Sequence, residues 1–234
     1  MNSPKTVLAQ LGPMAQLRAG RLPRRLTQLV VGLLIYGMSM AMMVLANLGA
    51  MPWDVFHLGM TQHLPISFGT AVILASVAVL LLWIPLRQAP GLGTILNAVL
   101  IGLAADLTLA FVPAPDSMAM RIGFLLIGVT INGLATALYI GAQLGPGPRD
   151  GLMTGLSRVT GRSIRLVRTG LEVSVIVIGW MLGGTVGVGT VLYALAIGPI
   201  VQAVLPWTIV TLPQTNTAMH KQKPASSFTA QSRE

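Results

Sequence analysis

The sequence predicts an all-α polytopic membrane protein, with about six transmembrane helices in two inverted three-helix repeats. Three observations carry that reading: scarce charge, alternating basic and non-basic loops, and a self-similarity of the chain at a displacement of 96 positions. Of 234 residues, 53% are hydrophobic and 9% charged, with a mean hydropathy of +0.75. A soluble domain carries about 25% charged residues, so this chain has too few to cover a water-facing surface. The lipid bilayer is its first expected partner. Without cysteine, disulfides and thiolate metal sites are excluded.

A spanning helix needs roughly 20 apolar residues. The segments that qualify are Leu26–Ala46, Phe68–Leu86, Leu92–Val112, Arg121–Ala142, Ile164–Leu182 and Val188–Trp207. The second is short, and the fifth carries Arg165, Arg168 and Glu172. Residues 1–25 form a basic segment with Lys5, Arg18, Arg21, Arg24 and Arg25. The apolar run after it exceeds the roughly 7–15 residues of a signal-peptide core, and no A-x-A cleavage site follows, so it reads as a retained span. Residues 26–112 make the first three-helix repeat and residues 121–207 the second. Residues 214–234 are polar and expected to be a disordered cytoplasmic tail.

Orientation follows from Lys and Arg, which stay on the cytoplasmic side of short loops. The loop after the first span has neither residue, whereas Arg87 follows the second. After the third span only Arg121 appears, at the far edge of the loop. The next loop holds Arg149, Arg158 and Arg162, the one after it none, and the tail Lys221, Lys223 and Arg233. Basic and non-basic segments alternate throughout. Both termini are expected in the cytoplasm.

Displacing the chain by 96 positions without a gap superposes "LGAMPWDV" on "LGPGPRDG", so Leu48, Gly49, Pro52 and Asp54 meet Leu144, Gly145, Pro148 and Asp150. The same register puts Gly91, Gly93 and Thr94 on Gly187, Gly189 and Thr190, and Gly32 and Gly37 on Gly128 and Gly133. One register across three spans is an internal repeat. Because three is odd, the second copy is expected to enter the membrane from the opposite side, a recurring build of secondary transporters. The bland alternative is an old duplication without alternating access.

Each polar break reads as a helix end and a restart. Gly49 and Gly145 suit a positive φ past a helix end, and Pro52 and Pro148 suit the first position of a new helix. Short helices are therefore expected over residues 52–63 and 148–159, with Asp54 and Asp150 facing the free amides of their first turns. Trp53, Phe56, His57 and Met60 share one face of the first. An interfacial or re-entrant helix and a simple surface loop with an amphipathic helix both remain open.

The stretches "GAMPWDVFHLG", "PGLGTILNAVLIGLAAD", "LGPGPRDGLMTGLSRVTGRSIRLVRTGLE" and "GGTVGVGTVLYALAIGP" resemble the YczE/YyaS-like group of bacterial integral membrane proteins, relatives of the YitT-type proteins. The resemblance covers about residues 26–206. It implies a multi-pass protein of the bacterial cell membrane, and it implies little about biochemistry. An association of some members with secondary metabolism or export is its one functional hint.

Charged residues at membrane depth are costly and mark candidate sites. Glu172 follows Arg168 by one turn and Arg165 by two on one face of the fifth span. That arrangement fits either a structural ion pair or a substrate or proton site. Asp106, in the third span, has no basic partner in sequence reach, and its repeat-mate is Gln202. Proton or cation coupling stays open for it, and so does capping by Asn97, Asn132 or a water-filled cavity. With Asp54, Arg149 and Asp150 from the breaks, these make the candidate substrate-binding set: Asp54, Asp106, Arg149, Asp150, Arg168 and Glu172.

Other chemistries lack support. His57 and His63 lie off a common helical face, so no metal site is expected, and no other cofactor is indicated. "GGTVGVG" has no following Lys and is explained by its copy "GLGT". No H-E-x-x-H or G-x-S-x-G occurs, so no enzyme activity is expected. Positive-inside placement accounts for the basic loops without nucleic acid. The expected function is a small-solute secondary transporter or exporter; the alternative is a non-transporting accessory or regulatory protein of a biosynthetic or export system. A polar cavity joining Asp106, Glu172, Arg149 and the two breaks would favour the first.

Overall fold

The computed structural model describes residues 11–213. The expected disorder of residues 214–234 and the first ten residues of the basic N-terminal segment lie outside the described residues. Among the described residues the chain is all helical: α1 (Pro13–Arg18), α2 (Leu22–Ala46), α3 (Pro52–His63), α4 (Phe68–Trp83), α5 (Leu92–Phe111), α6 (Met118–Gly141), α7 (Pro148–Thr160), α8 (Ile164–Met181) and α9 (Val188–Thr208).

Local chemistry sets most helix starts. Ser67, Ser117 and Ser163 precede α4, α6 and α8, and each hydroxyl accepts from an amide two positions into the helix, an ordinary N-cap. Pro52 and Pro148 open α3 and α7, where a missing N–H costs nothing. At the starts of α5 and α9, the Thr94 and Thr190 hydroxyls reach back to the amides of Gly91 and Gly187. Gly49 and Gly145 take φ of 116° and 122°, a conformation side chains resist.

Four of the helices, α2, α5, α6 and α9, are long and apolar enough to cross a membrane; α3 and α4, bent by 113° at their junction, give a fifth if they form one broken span. The expected count of six differs at the two segments already weakest in sequence. At 16 residues, α4 spans only about 24 Å, short of the roughly 30 Å hydrocarbon core. The other, α8, carries Arg165, Arg168 and Glu172 within 18 residues.

Packing centres on α2 and α6. The first turn of α2 meets the end of α6: Arg25 Nε donates to the Ala142 carbonyl at 2.8 Å and Nη2 to Gln143 at 2.6 Å. The guanidinium thereby satisfies carbonyls that a helix end leaves open. The two helices run antiparallel, so the breaks after them sit at opposite ends of the pair. Their contacts are reciprocal. Gly32 faces Ala135, Leu138 and Tyr139, and Gly128 faces Ser39, Met42 and Met43, the same three positions less 96.

The reciprocity extends outward. Gly37 on α2 faces α5, and Gly133 on α6 faces α9. Gly93 N donates to the Leu144 carbonyl at 2.8 Å, and Gly189 N donates to that of Leu48 at 2.8 Å. Each break is thus pinned by a long helix from the other half of the chain, α9 for the first and α5 for the second. The restart helices also cross over: α3 packs on α8, and α7 on α4. Trp83 of α4 stacks over Gly151 of α7, while Gly179 of α8 lies against Val55 and Phe56 of α3. Bulk and space have exchanged sides, since Trp83 pairs with Gly179 and Val55 with Gly151 at the displacement of 96.

One relation is not reciprocal. In the first copy α4 packs tightly along α5, whereas α8 and α9 barely touch. A Cβ on Gly102 would lie 2.5 Å from the Gly69 carbonyl oxygen, and one on Gly198 would meet nothing within 4 Å. Arg165 stands at the position of Gly69. An arginine cannot permit the close approach that two glycines allow, so α8 stands off and leaves a gap.

Candidate functional site

That gap is a cavity of about 240 Å³ bounded by α2, α6, α7, α8, α9 and the start of α3. Four of the six predicted site residues line it together: Arg149, Asp150, Arg168 and Glu172. The restart at Pro148 puts Arg149 and Asp150 in the first turn of α7, and α8 presents Arg168 and Glu172 from the opposite wall. Pro52 and Trp53 bring in the first break. Both breaks therefore meet at one site.

Each charge has a defined setting. The Arg149 Cζ lies 5.0 Å from the Trp53 ring centroid, a cation–π contact. Among the described residues no carboxylate reaches Arg149 to form an ion pair. Asp150 Oδ2 accepts from the Tyr139 hydroxyl at 2.7 Å. Arg168 Nε donates to Glu172 Oε1 at 2.8 Å, with the two side chains 48% and 30% exposed. The ion pair is real, as the spacing predicted, and it faces the cavity. Ion pairing and a place in the site are thus not alternatives.

Residues that the sequence reading did not single out complete the walls. All three tyrosines of the chain, Tyr36, Tyr139 and Tyr193, line the cavity. The rings of Tyr36 and Tyr139 meet edge to face at 6.2 Å. The Tyr193 hydroxyl donates to Asn132 Oδ1 at 3.0 Å, Asn132 Nδ2 to Ser39 Oγ at 2.8 Å, and Ser39 Oγ to the Tyr36 carbonyl at 2.7 Å. This chain ties α9, α6 and α2 together. Tyrosine occurring only at three positions of an aromatic-poor chain, each inside a predicted span, was the available signal.

Asp54 is placed differently. It is fully buried in α3, 3.1 Å from Nδ1 of an equally buried His57. Asp54 Oδ2 and His57 Nε2 have no hydrogen-bond partner among the described residues. Neither Asp54 nor Asp150 takes the expected bond from a first-turn amide: one turns to His57, the other to Tyr139. Side-chain partners on neighbouring turns and helices outcompete the local cap. Asp54 is not among the residues that line the cavity, although its neighbours Pro52 and Trp53 are.

Asp106 lies apart. Its Oδ2 accepts from Ser67 Oγ at 2.5 Å and its Oδ1 from Gly69 N at 2.6 Å. It clamps the start of α4 to α5, using charge where that helix exposes amides. The geometry favours a structural bond, but its partners are Ser67 and Gly69 and not the expected Asn97 or Asn132; Asn132 bonds Ser39 and Tyr193 instead.

A smaller cavity of about 50 Å³ shares Tyr36, Tyr139, Arg149 and Asp150 with the first. Its remaining wall includes Val72, Ser76, Asn97 and Ile101, the positions 96 before Arg168, Glu172, Tyr193 and Ile197. The two spaces are counterparts. The larger is lined by Arg168 and Glu172 where the smaller has Val72 and Ser76, and both share Arg149 and Asp150.

Comparison with known proteins fits this membrane architecture. Residues 23–206 match the model of a family of unknown function, DUF6198. An uncharacterized protein of Haemophilus influenzae is 42% identical over 174 residues, 74% of this chain and 80% of that protein. The uncharacterized membrane protein YczE of Bacillus subtilis is 33% identical over 79% of this chain and 87% of its own length. The uncharacterized protein YyaS of the same organism is 26% identical over 75% and 90%. No solved structure matches. The matched region runs from the first turn of α2 to the end of α9 and takes in both breaks and the cavity: the chain belongs to the YczE/YyaS-like membrane proteins of the family DUF6198.

Proposed function

We propose that the protein is a small-solute secondary transporter or exporter of the bacterial cell membrane, with both termini cytoplasmic. Two inverted repeats of three spans each would supply its alternating halves. In this arrangement α4 and α8 also cross, each completed by the restart helix that precedes it. The observation that carries the proposal is the polar cavity where both breaks, α8 and α9 converge. Charge within a membrane-spanning region is maintained against a cost, and inverted-repeat transporters place their sites at broken helices on the repeat interface. Reciprocal contacts such as Gly93 to Leu144 and Gly189 to Leu48 support the repeat. The unequal cavities fit one of two exchangeable states.

The test compares metabolites retained in and released from cells that lack the gene, cells with it restored, and cells carrying Arg149→Gln or Glu172→Gln. A solute whose distribution depends on the gene and on both side chains, followed by its movement in vesicles, is the expected result. Unchanged distribution with both variants, at normal protein yield, would leave the accessory role instead.

A further inference from the structure

The cavity's own charge and bonding pattern narrows what it can hold. Arg149 and Asp150 of α7 and Arg168 and Glu172 of α8 all line it, so its walls sum to zero formal charge. A lone anion or lone cation would enter with its charge uncompensated, whereas a molecule bearing one of each would not.

The groups are also unequally engaged. Arg168 and Glu172 already bond each other. Asp150 spends Oδ2 on Tyr139, and its other oxygen accepts nothing among the described residues. Arg149 makes no hydrogen bond there; its guanidinium lies over Trp53. Stacking holds the plane of an arginine while leaving its N–H edges available, and those edges match a planar carboxylate with two parallel bonds. Beside it, Asp150 and the faces of Tyr36, Tyr139 and Tyr193 suit an ammonium group. Met51, Ile140, Met153, Ile197 and Val201 give an apolar stretch of wall, with Thr136 and Gln202 beside it. The cavity of about 240 Å³ falls below the roughly 300–1,000 Å³ of drug-sized sites, yet far exceeds what one water needs.

We propose that the cavity binds a zwitterion of amino-acid size with an apolar side group, its carboxylate on Arg149 and its ammonium on Asp150. As the substrate of this cavity, the ligand class rests on the transporter reading, but its binding can be measured without transport.

Two matched triads separate the charges while keeping the body constant. One is phenylalanine, 3-phenylpropionate and 2-phenylethylamine; the other is leucine, 4-methylpentanoate and isoamylamine. Each probe, at about 10 mM, is added to the purified full chain and the melting temperature recorded. At least one zwitterion should raise it by about 2–4 °C, with the two single-charge members of its triad giving less than half that shift. Arg149→Gln should reduce the amino acid to the level of the amine, and Asp150→Asn to the level of the acid. Arg149→Lys, which keeps charge and loses the fork, should retain only part of the shift and covers the case in which the glutamine variant fails to fold. No shift with either amino acid, or equal shifts across a triad, would overturn the proposal. Loading the stabilising amino acid into proteoliposomes then tests the other reading separately: binding that depends on Arg149 without movement of the solute would sink transport and leave the site standing.

Discussion

Arg149 stacks on Trp53, its Cζ 5.0 Å from the ring centroid, and the two occupy the same position of the two breaks, 96 residues apart. The contact ties the start of α7 to the start of α3 at the mouth of the cavity. Replacing Trp53 by Leu should cost stability, and so should Arg149→Gln. Removing both should cost less than the sum of the singles by about 0.5–2 kcal/mol, read from denaturation of the four proteins. Strict additivity would mean the stacking contributes nothing.

Gly102 and Gly198 are repeat-mates with opposite surroundings. A leucine at 102 would collide with the Gly69 carbonyl and Ile73, while a leucine at 198 projects into open space. Gly102→Leu should therefore lower folded yield several-fold, because backbone must move. Gly198→Leu should fold normally and fill part of the cavity, weakening any ligand-dependent rise in melting temperature. Equal loss of yield in the two variants would contradict the standoff of α8 from α9.

Asp106 should behave as a clamp and not as a coupling group. Its two accepted bonds, from Ser67 and Gly69, resemble a helix cap worth about 1–2 kcal/mol. Asp106→Ala should lower stability by that amount while leaving the gene-dependent solute distribution per folded molecule unchanged. Abolished function with unchanged stability would return Asp106 to the site.

Among the described residues, Asp54 and His57 are buried and hydrogen-bond to no side chain but each other. Removing either alone leaves the other's buried polar atoms unpaired, at a cost of about 1–3 kcal/mol. Substituting both with alanine should cost clearly less than the two single changes added together. Thermal denaturation of the three variants checks it, and an additive result would show that the two groups do not stabilise each other.

Topology has a direct test because the chain has no cysteine. Gln62 near the end of α3 and Val159 near the end of α7 are both exposed. Gln62→Cys and Val159→Cys, probed with an impermeant thiol reagent in intact cells, should label from opposite sides, Gln62→Cys from outside. Labelling of both from one side would remove the inverted arrangement.

Much of the fold was readable from periodicity and punctuation. Ser67, Ser117 and Ser163 begin helices where local hydrogen bonding places them, and Pro52 and Pro148 start α3 and α7 as expected. The break residues Arg149 and Asp150 and the pair Arg168–Glu172 were visible as costly charge, and they do share one cavity. What sequence could not reveal is which copy opens. That depends on Arg165 standing where Gly69 stands, a consequence of packing between helices that no single window displays. The same holds for Asp106: its donors, Ser67 and Gly69, come from another helix. The tyrosines escaped notice because each looks like an ordinary core aromatic until the three are seen around one space.

The exchanged bulk at the restart helices bears on whether the two halves of the chain could replace one another. Trp83 lies against Gly151, and Gly179 against Val55. A protein assembled from two copies of the present first half would set Trp83 against Val55 at both crossings, with nowhere for the indole to go. Two copies of the second half would set Gly179 against Gly151 twice and leave a void at each. The two crossings are therefore complementary and not interchangeable. Side-chain bulk at 151 could be admitted only by giving up the indole at 83, whereas at 179 it would meet the backbone of α3 itself, so the two glycines are held in place by different neighbours.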